Sequence, residues 1–462
     1  MNIKNNVLEA VGHTPLIKLN KVVDAKAATV LAKCEFLNPT GSIKDRMALH
    51  ILNEAEKSGL IKPGGTVVEN TSGNTGLGVA MVAAIKGYRC IFTMPDKMST
   101  EKINMLKAFG AEVVITPTDV PGDSPQHYVN VAKRIAGETP NSFYVNQYHN
   151  PLNIDAHYYL TAPEIYEETD GQVDVIVAGA GTGGTVSGIG RFFKEKIAKT
   201  RIVGVDPLGS VHYHYFYTHT MPTPHVYKVE GVGEDILCGA MDFNAVDEFR
   251  QVNDKESFQM ARRLVREEGL FCGGSSGSAA HIAVQIAREI GPGKTVVVVL
   301  PDSGSRYITK FLADSWMKDF GFLESSKLHL GTVEELLPMV KRKVITANED
   351  EPLSTIIARL KEHGISQLPV LNSQGRPISI IHESDLLHGL QEGSVTLESR
   401  AKDVAHPIGG LIYPKAQIEE LFRIFETDRV AIVVDSNELV GIISKIDLID
   451  YLSRRNPKGA GL

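Results

Sequence analysis

Asn38-Pro-Thr-Gly-Ser-Ile-Lys-Asp-Arg46 seats a lysine just after a glycine-serine turn, at the point where a helix is expected to begin. Pro39 and Gly41 break the preceding extended run. Ser42 is the expected N-cap, and Met47-Ala-Leu-His-Ile-Leu52 continues with helical periodicity. Lys44 then falls in the first turn, where the positive end of the helix dipole disfavours an ammonium and favours the neutral amine. A neutral amine is the form that Schiff-base chemistry requires. On an arbitrary surface the same residue would be one more solvated lysine, so its meaning rests on what the rest of the chain assembles around it.

Downstream, short β-branched runs alternate with helical patterns: Thr66-Val-Val-Glu69, Cys90-Ile-Phe-Thr-Met94, Glu112-Val-Val-Ile-Thr116, Asp174-Val-Ile-Val-Ala178, Arg201-Ile-Val-Gly-Val205 and Thr295-Val-Val-Val-Val-Leu300. Continuous apolar strands between helices predict an α/β body with parallel sheets covered on both faces. The body is expected over residues 1–320, followed by a polar linker over 321–337. Beyond it an internal repeat is expected. Leu368-Pro-Val-Leu371, Pro377-Ile-Ser-Ile-Ile381 and Asp385-Leu-Leu387 correspond to Val430-Ala-Ile-Val-Val434, Leu439-Val-Gly-Ile-Ile443 and Asp447-Leu-Ile449. The two copies are placed at 338–395 and 396–455, and two units so small are expected to pack as a pair. Residues 456–462 carry no core-forming pattern and are expected to fray.

Composition excludes several functions. A chain of 462 residues with 43% hydrophobic content needs more than one core, and its net charge of −7 gives no general attraction to nucleic acid or anionic membrane. Cys34, Cys90, Cys238 and Cys272 lack disulfide-framework or zinc-ligand spacing, so reduced, buried thiols and no metal are expected. No apolar run reaches membrane-spanning length and no apolar signal segment is visible, so a cytoplasmic protein is expected.

Three glycine-rich turns follow strands. Thr71-Ser-Gly-Asn-Thr-Gly76, before a helix expected near Leu77, offers a donor-rich cradle for a carboxylate. Gly181-Thr-Gly-Gly-Thr185 opens a helix and suits a phosphate, with amides and hydroxyls turned inward. Gly179, Gly181 and Gly184 also satisfy G-x-G-x-x-G, with Asp206 22 residues after Gly184, which leaves a dinucleotide site as a rival. In Cys272-Gly-Gly-Ser-Ser-Gly-Ser278, Ser275 or Ser276 could face a ligand or simply cap a helix expected from Ala279.

Together the lysine and the three loops resemble the fold type II pyridoxal-phosphate enzymes of the cysteine synthase/cystathionine β-synthase family. Gly12-His-Thr-Pro-Leu16, Pro95-Asp-Lys-Met-Ser-Thr-Glu-Lys102 and Glu230-Gly-Val-Gly233 extend the likeness, and Leu300-Pro-Asp-Ser303 with Tyr307-Ile-Thr-Lys-Phe-Leu312 favours the cystathionine-forming branch. The resemblance implies pyridoxal phosphate bound covalently to Lys44. Its phosphate would lie on Gly181, Thr182, Gly183, Gly184 and Thr185, its phenolic oxygen at Asn74 and its ring nitrogen at Ser275. Thr71, Ser72, Thr75 and Gln147 would hold the substrate carboxylate, with Tyr158 and Gly233 nearby.

A serine at the ring nitrogen cannot keep the pyridinium charged as a carboxylate would, which suits elimination of a β-substituent. The implied reaction replaces the hydroxyl of serine with homocysteine to give cystathionine and water. Lys44 would take the α-proton and supply the proton to the leaving hydroxide. Release of sulfide from cysteine could accompany this. Haem is not expected, because the haem-binding extension of animal members is missing. Glu234 stands where some members carry tyrosine, which leaves the second substrate open.

The repeat resembles a CBS-domain pair. By that likeness Ser444 and Asp447 would meet S-adenosylmethionine or an adenine nucleotide, whereas His382 replaces the hydroxyl residue before Asp385 in the first copy. A structural or dimer-forming pair is the alternative. The resemblance also implies a homodimer or larger homo-oligomer. Two rivals to the main reading stay open: cysteine synthesis from O-acetylserine and sulfide, and an adenosyl-ligand sensor with an inactive enzyme body.

Overall fold

The computed structural model describes residues 3–71, 73–323, 330–340, 343–427, 430–436 and 438–455. The chain divides into two compact units, Met1–Glu324 and Ser325–Leu462. The first holds ten of the strands: β1 (Leu16–Lys18), β2 (Thr29–Cys34), β3 (Thr66–Asn70), β4 (Arg89–Pro95), β5 (Glu112–Thr116), β6 (Ser142–Tyr144), β7 (Val175–Gly179), β8 (Arg201–Pro207), β9 (Glu248–Val252) and β10 (Thr295–Leu300). One sheet runs in the order β1-β2-β10-β7-β8-β9 and the other β5-β4-β3-β6. All neighbours are parallel except β1 and β2.

The valine run of β10 explains why that sheet needs cover on both sides. Val296, Val298 and Leu300 enter one core cluster, while Val297 and Val299 enter another. The helix Gly274–Ile290 supplies the first cluster with Ala279, Ala283 and Ile286.

Helix α1 (Lys44–Lys57) turns Met47, Ala48, Ile51, Leu52 and Ala55 into a third cluster, shared with helix α2 (Asn74–Lys86). Close packing of the two fixes the start of α1. A Cβ at Gly78 would lie 3.0 Å from the carbonyl oxygen of Lys44 and 3.2 Å from the Asp45 nitrogen, so only glycine lets α2 approach there without displacement. Two residues on, Arg46 is buried and bonds Glu35 (2.7 Å) and Glu164 (2.6 Å). Lys33, also buried, pairs with Glu164 (2.9 Å) and Glu168 (2.7 Å). This network anchors the turn that carries Lys44.

Several expectations need correction. α1 begins at Lys44 behind Ile43, so Ser42 is not its N-cap residue; its Oγ accepts the Lys44 N–H from two positions upstream (3.3 Å). The helices expected near Leu77 and from Ala279 start earlier, at Asn74 and Gly274, which moves the loop residues Asn74, Ser275 and Ser276 into first turns. β2 is hidden in the sequence because Lys33 interrupts its apolar run, and the Thr14 carbonyl together with the distant Glu164 and Glu168 makes that lysine tolerable in the core.

In the second unit, β11 (Ala347–Asn348), β12 (Gln367–Leu371), β13 (Pro377–His382) and β14 (His406–Pro407) form one sheet. β15 (Leu411–Ile412), β16 (Val430–Asp435) and β17 (Glu438–Ser444) form another. Each copy contains the expected strand, helix, strand, strand, helix, and the second adds β14 ahead of it, which pairs with β13 of the first copy. The end of the expected linker belongs to this unit: Val333 and Leu336 lie on the helix Val333–Leu336 and are buried in its core with Ile412 and Leu421. Residues 324–329 of the expected linker and the expected tail at 456–462 lie outside the described residues.

Candidate active site

The carboxyl ends of β3, β4, β7 and β10 deliver their following loops to a single cavity of about 420 Å³. Lys44 lines it with Thr71, Asn74, Thr75, Gln147 and Ser275, and with Gly181, Thr182, Gly183, Thr185 and Gly233. Gly184 lies directly behind, as the first residue of the helix Gly184–Lys196. Ser72 lies outside the described residues. Tyr158 is the exception: its hydroxyl donates to Glu195 (2.5 Å) and its ring packs edge-on against Phe192, away from the cavity lining. The tyrosines that do line the cavity are Tyr128, Tyr148 and Tyr307.

Burial lowers the pKa of Lys44, opposed chiefly by Glu234. Desolvation therefore moves this lysine toward the neutral amine, a stronger cause than the helix dipole invoked from sequence.

The glycine loop fits a phosphate on grounds of space and chemistry. A Cβ at Gly184 would sit 2.1 Å from Asn153 Oδ1, so the loop is pressed against a wall and has no room for a side chain on that side. Its amides lie at the N-terminus of a 13-residue helix, where an anion is favoured. Asn153 Nδ2 donates to Thr182 Oγ1 (3.1 Å), and Thr185 Oγ1 shares a hydrogen bond with His157 Nε2 (3.2 Å). Burial, with the charges of Lys44 and Arg46 beside it, holds His157 well below the usual histidine range, so it is neutral.

Asn74 Nδ2 donates to Asp302 Oδ2 (2.8 Å), which also accepts from the Tyr307 hydroxyl (2.7 Å). Oδ1 of both Asn74 and Asp302, two residues that line the cavity, is buried without a hydrogen-bond partner among the described residues. Orphaned polar atoms beside a roomy cavity are what a polar group of cofactor size would satisfy. On the carboxylate side, Thr75 Oγ1 donates to Gln147 Oε1 (2.5 Å), and Glu69 Oε2 accepts the Asn146 N–H (2.7 Å) beside it. Burial raises Glu69 to about 8, against the pull of the Asn146 and Gln147 donors.

The dinucleotide alternative fails at Asp206. That residue is fully buried, and its Oδ2 accepts the N–H of Tyr213 (2.8 Å), so no carboxylate is presented to a ribose.

Sequence reasoning missed Asn153, His157, Asp302 and Glu69. Asp302 stood in a quoted motif, Leu300-Pro-Asp-Ser303, and Glu69 at the end of a quoted strand run, Thr66-Val-Val-Glu69, neither with a role in the site. The others reach the site by folding, from segments whose local pattern advertises nothing.

In the second unit a smaller cavity of about 170 Å³ is lined by Val344, Ile345, Ser366 and Gln367 of one copy and by Ser444 and Asp447 of the other. Asp447 Oδ2 accepts both the Ser444 N–H (2.8 Å) and its hydroxyl. Asp385 treats the His382 N–H likewise (3.0 Å). The spacing of these pairs thus has a structural use at the start of each following helix.

Comparison with known proteins matches this architecture. Residues 7–302 fit the model of the pyridoxal-phosphate dependent enzyme family, and residues 333–392 and 406–454 fit the CBS domain. A cystathionine beta-synthase of Dictyostelium discoideum is 40% identical over 99% of this chain and 94% of its own. One from Saccharomyces cerevisiae is 36% identical over 97% of this chain and 98% of its own. A cysteine synthase of Staphylococcus aureus is 42% identical, over 66% of this chain and 96% of its own. With a family model covering residues 7–302, a paired C-terminal module and relatives of matching length, the chain belongs to the pyridoxal-phosphate dependent enzymes, in the cystathionine beta-synthase family.

Proposed function

We propose that the first unit condenses serine with homocysteine to give cystathionine and water, with Lys44 as the proton carrier. The observation that carries this reading is the meeting of Lys44, the glycine loop, Asn74, Ser275 and the Thr71, Thr75 and Gln147 cradle on one cavity. Pyridoxal phosphate, when bound, supplies an electron sink that acidifies the Cα proton of an amino acid joined to it.

The chain's own residues do the rest. Lys44 would hold the cofactor in the resting enzyme; the loop from Gly181 to Thr185 would hold its phosphate, Asn74 its phenolic oxygen and Ser275 its ring nitrogen. Thr71, Thr75 and Gln147 hold the substrate carboxylate, which orients the Cα–H bond toward Lys44 Nζ. Released as a neutral amine, Lys44 Nζ takes that proton and returns it to the β-oxygen, so hydroxide leaves as water. The thiol would then add at the β-carbon, its proton passing to Lys44 Nζ, which would return it to Cα. Asp302 fixes the Asn74 amide (2.8 Å), and His157 fixes the Thr185 hydroxyl (3.2 Å).

The similarity to a cysteine synthase supports a second reading, cysteine formation from O-acetylserine and sulfide. Product analysis of serine plus homocysteine beside O-acetylserine plus sulfide separates the two: the proposed function requires cystathionine from the first pair, and cysteine from the second pair alone refutes it. Lack of a visible absorption band after addition of pyridoxal phosphate refutes both and leaves the sensor reading.

The second unit is proposed to bind S-adenosylmethionine or an adenine nucleotide at the cavity edged by Ser444 and Asp447 and so to alter activity. Calorimetry with both ligands decides it; absence of heat from either leaves the pair a structural role. A homodimer and a cytoplasmic location belong to the same proposed reading. All four cysteines are free and buried, as a reducing compartment allows, and no described helix is long and apolar enough to cross a membrane. Sedimentation tests the dimer.

A further inference from the structure

Three carboxylates line the catalytic cavity, Glu230, Glu234 and Asp302, and two of them are already engaged. Glu230 pairs with Lys102 (3.0 Å) and with Lys310. Asp302 accepts from Asn74 and Tyr307. Glu234 differs: among the described residues its carboxylate has no hydrogen bond and no ion pair, although its backbone is pinned. Its N–H donates to Ser210 Oγ (3.0 Å), and its carbonyl accepts from that hydroxyl (3.1 Å) and from the Val211 N–H (3.1 Å). Gly233, beside it, donates to the Ala180 carbonyl (2.8 Å), which ties this strand of chain to the end of β7.

The side chain is therefore held at the cavity by a fixed backbone and left without a cation. Burial raises it to about 7, against the weaker pull of His212 and Lys44. A desolvated carboxylate in that condition gains most from an ammonium placed against it. Lys44 cannot serve during the reaction, since its amine is committed to the cofactor or to the proton. The amino group of the first substrate is likewise taken up at the cofactor. Of the cations that enter the cavity, only the amino group of a second amino acid is uncommitted.

We propose that Glu234 receives the α-ammonium of the second substrate and thereby selects an amino-acid thiol over a bare or purely anionic thiol. This rests on the proposed β-replacement and names the chemistry of its second substrate. Homocysteine meets the requirement; sulfide, as an anion, is repelled by the same carboxylate.

The test compares wild type with Glu234→Gln, which keeps size and removes charge. Three thiols serve as acceptors: homocysteine, 3-mercaptopropylamine with the ammonium alone, and 4-mercaptobutyrate with the carboxylate alone. The variant is expected to lose about 10- to 100-fold in kcat/KM for the two amines, the size of one charge-assisted contact, and to change less than about 3-fold for 4-mercaptobutyrate. An equal loss with all three thiols would assign Glu234 to the sulfur proton or to packing, and no loss would remove it from recognition; either overturns the proposal. An absorbance change on adding serine alone is expected to persist in the variant, which reports an intact fold and a working first half-reaction. Cystathionine titrated into both holoenzymes reads the contact without turnover. Its Kd is expected to rise about 10- to 100-fold in the variant, and an unchanged Kd overturns the inference even if the wild type proves to make another product.

Discussion

Glu69 illustrates how a buried residue given no role from sequence positions one that lines the cavity. It lies one residue before the end of β3 as a buried carboxyl, accepts the Asn146 N–H at 2.7 Å, and so fixes the turn that presents Gln147 to the cavity. Burial raises it from 4.5 to about 8, so the native state holds a proton that the unfolded chain releases at lower pH. Its contribution to stability is full below pH 4.5 and is lost as pH rises through about 8. Urea unfolding of wild type is thus expected to lose roughly 2–4 kcal/mol more than Glu69→Gln between pH 5 and pH 8. Parallel pH slopes for the two proteins would show that Glu69 is ionised throughout. Lys44 stands under the same physics with the opposite sign, since desolvation favours its neutral form.

At the scale of elements, the site depends on how closely α1, α2 and the loop after β7 are pressed against their neighbours. Glu35→Ala would leave the buried Arg46 with a single carboxylate, Glu164, and is expected to cost about 3–5 kcal/mol in chemical denaturation. A loss under 1 kcal/mol would mean that the network does not anchor α1. Gly184→Ala drives a Cβ toward Asn153 and is expected to weaken pyridoxal-phosphate retention at least about 10-fold, read by equilibrium dialysis of the visible band. Unchanged retention would show that the loop has slack.

These elements also mark the reach of sequence. The glycine loop was legible because three glycines and two threonines stood together just past a strand end. Lys44 was legible only once that loop and Asn74 gave it a partner. Asn153 and His157 were not, because their segment spells an ordinary amphipathic stretch, and a π-helical turn over His157–Thr161 sets the ring beneath Thr185. Tyr158, one residue on, was credited with the site and instead faces Glu195.

For the whole molecule, the informative fact is that each unit owns its core. The catalytic unit buries its strands between clusters such as those around Val296 and Val297, and the C-terminal unit buries Val333, Leu336, Ile412 and Leu421 in its own. The repeat was readable because two copies of one pattern stand in the sequence; the linker boundary was not, since the short helix Val333–Leu336 buries two apolar residues but carries Glu334 and Glu335 between them. A chain ending at Leu323 is expected to fold, bind pyridoxal phosphate and form cystathionine, while giving no heat with an adenosyl ligand. An insoluble or colourless truncated protein would contradict the independence of the two cores.

The central claim is that Lys44, freed from the cofactor, carries the proton of a serine β-replacement. Cystathionine formation from serine and homocysteine, followed by mass spectrometry for wild type and Lys44→Ala side by side, tests it most directly. The account predicts cystathionine from the wild type and a loss of at least about 1000-fold in the variant; comparable rates, or no cystathionine from either protein, would contradict it.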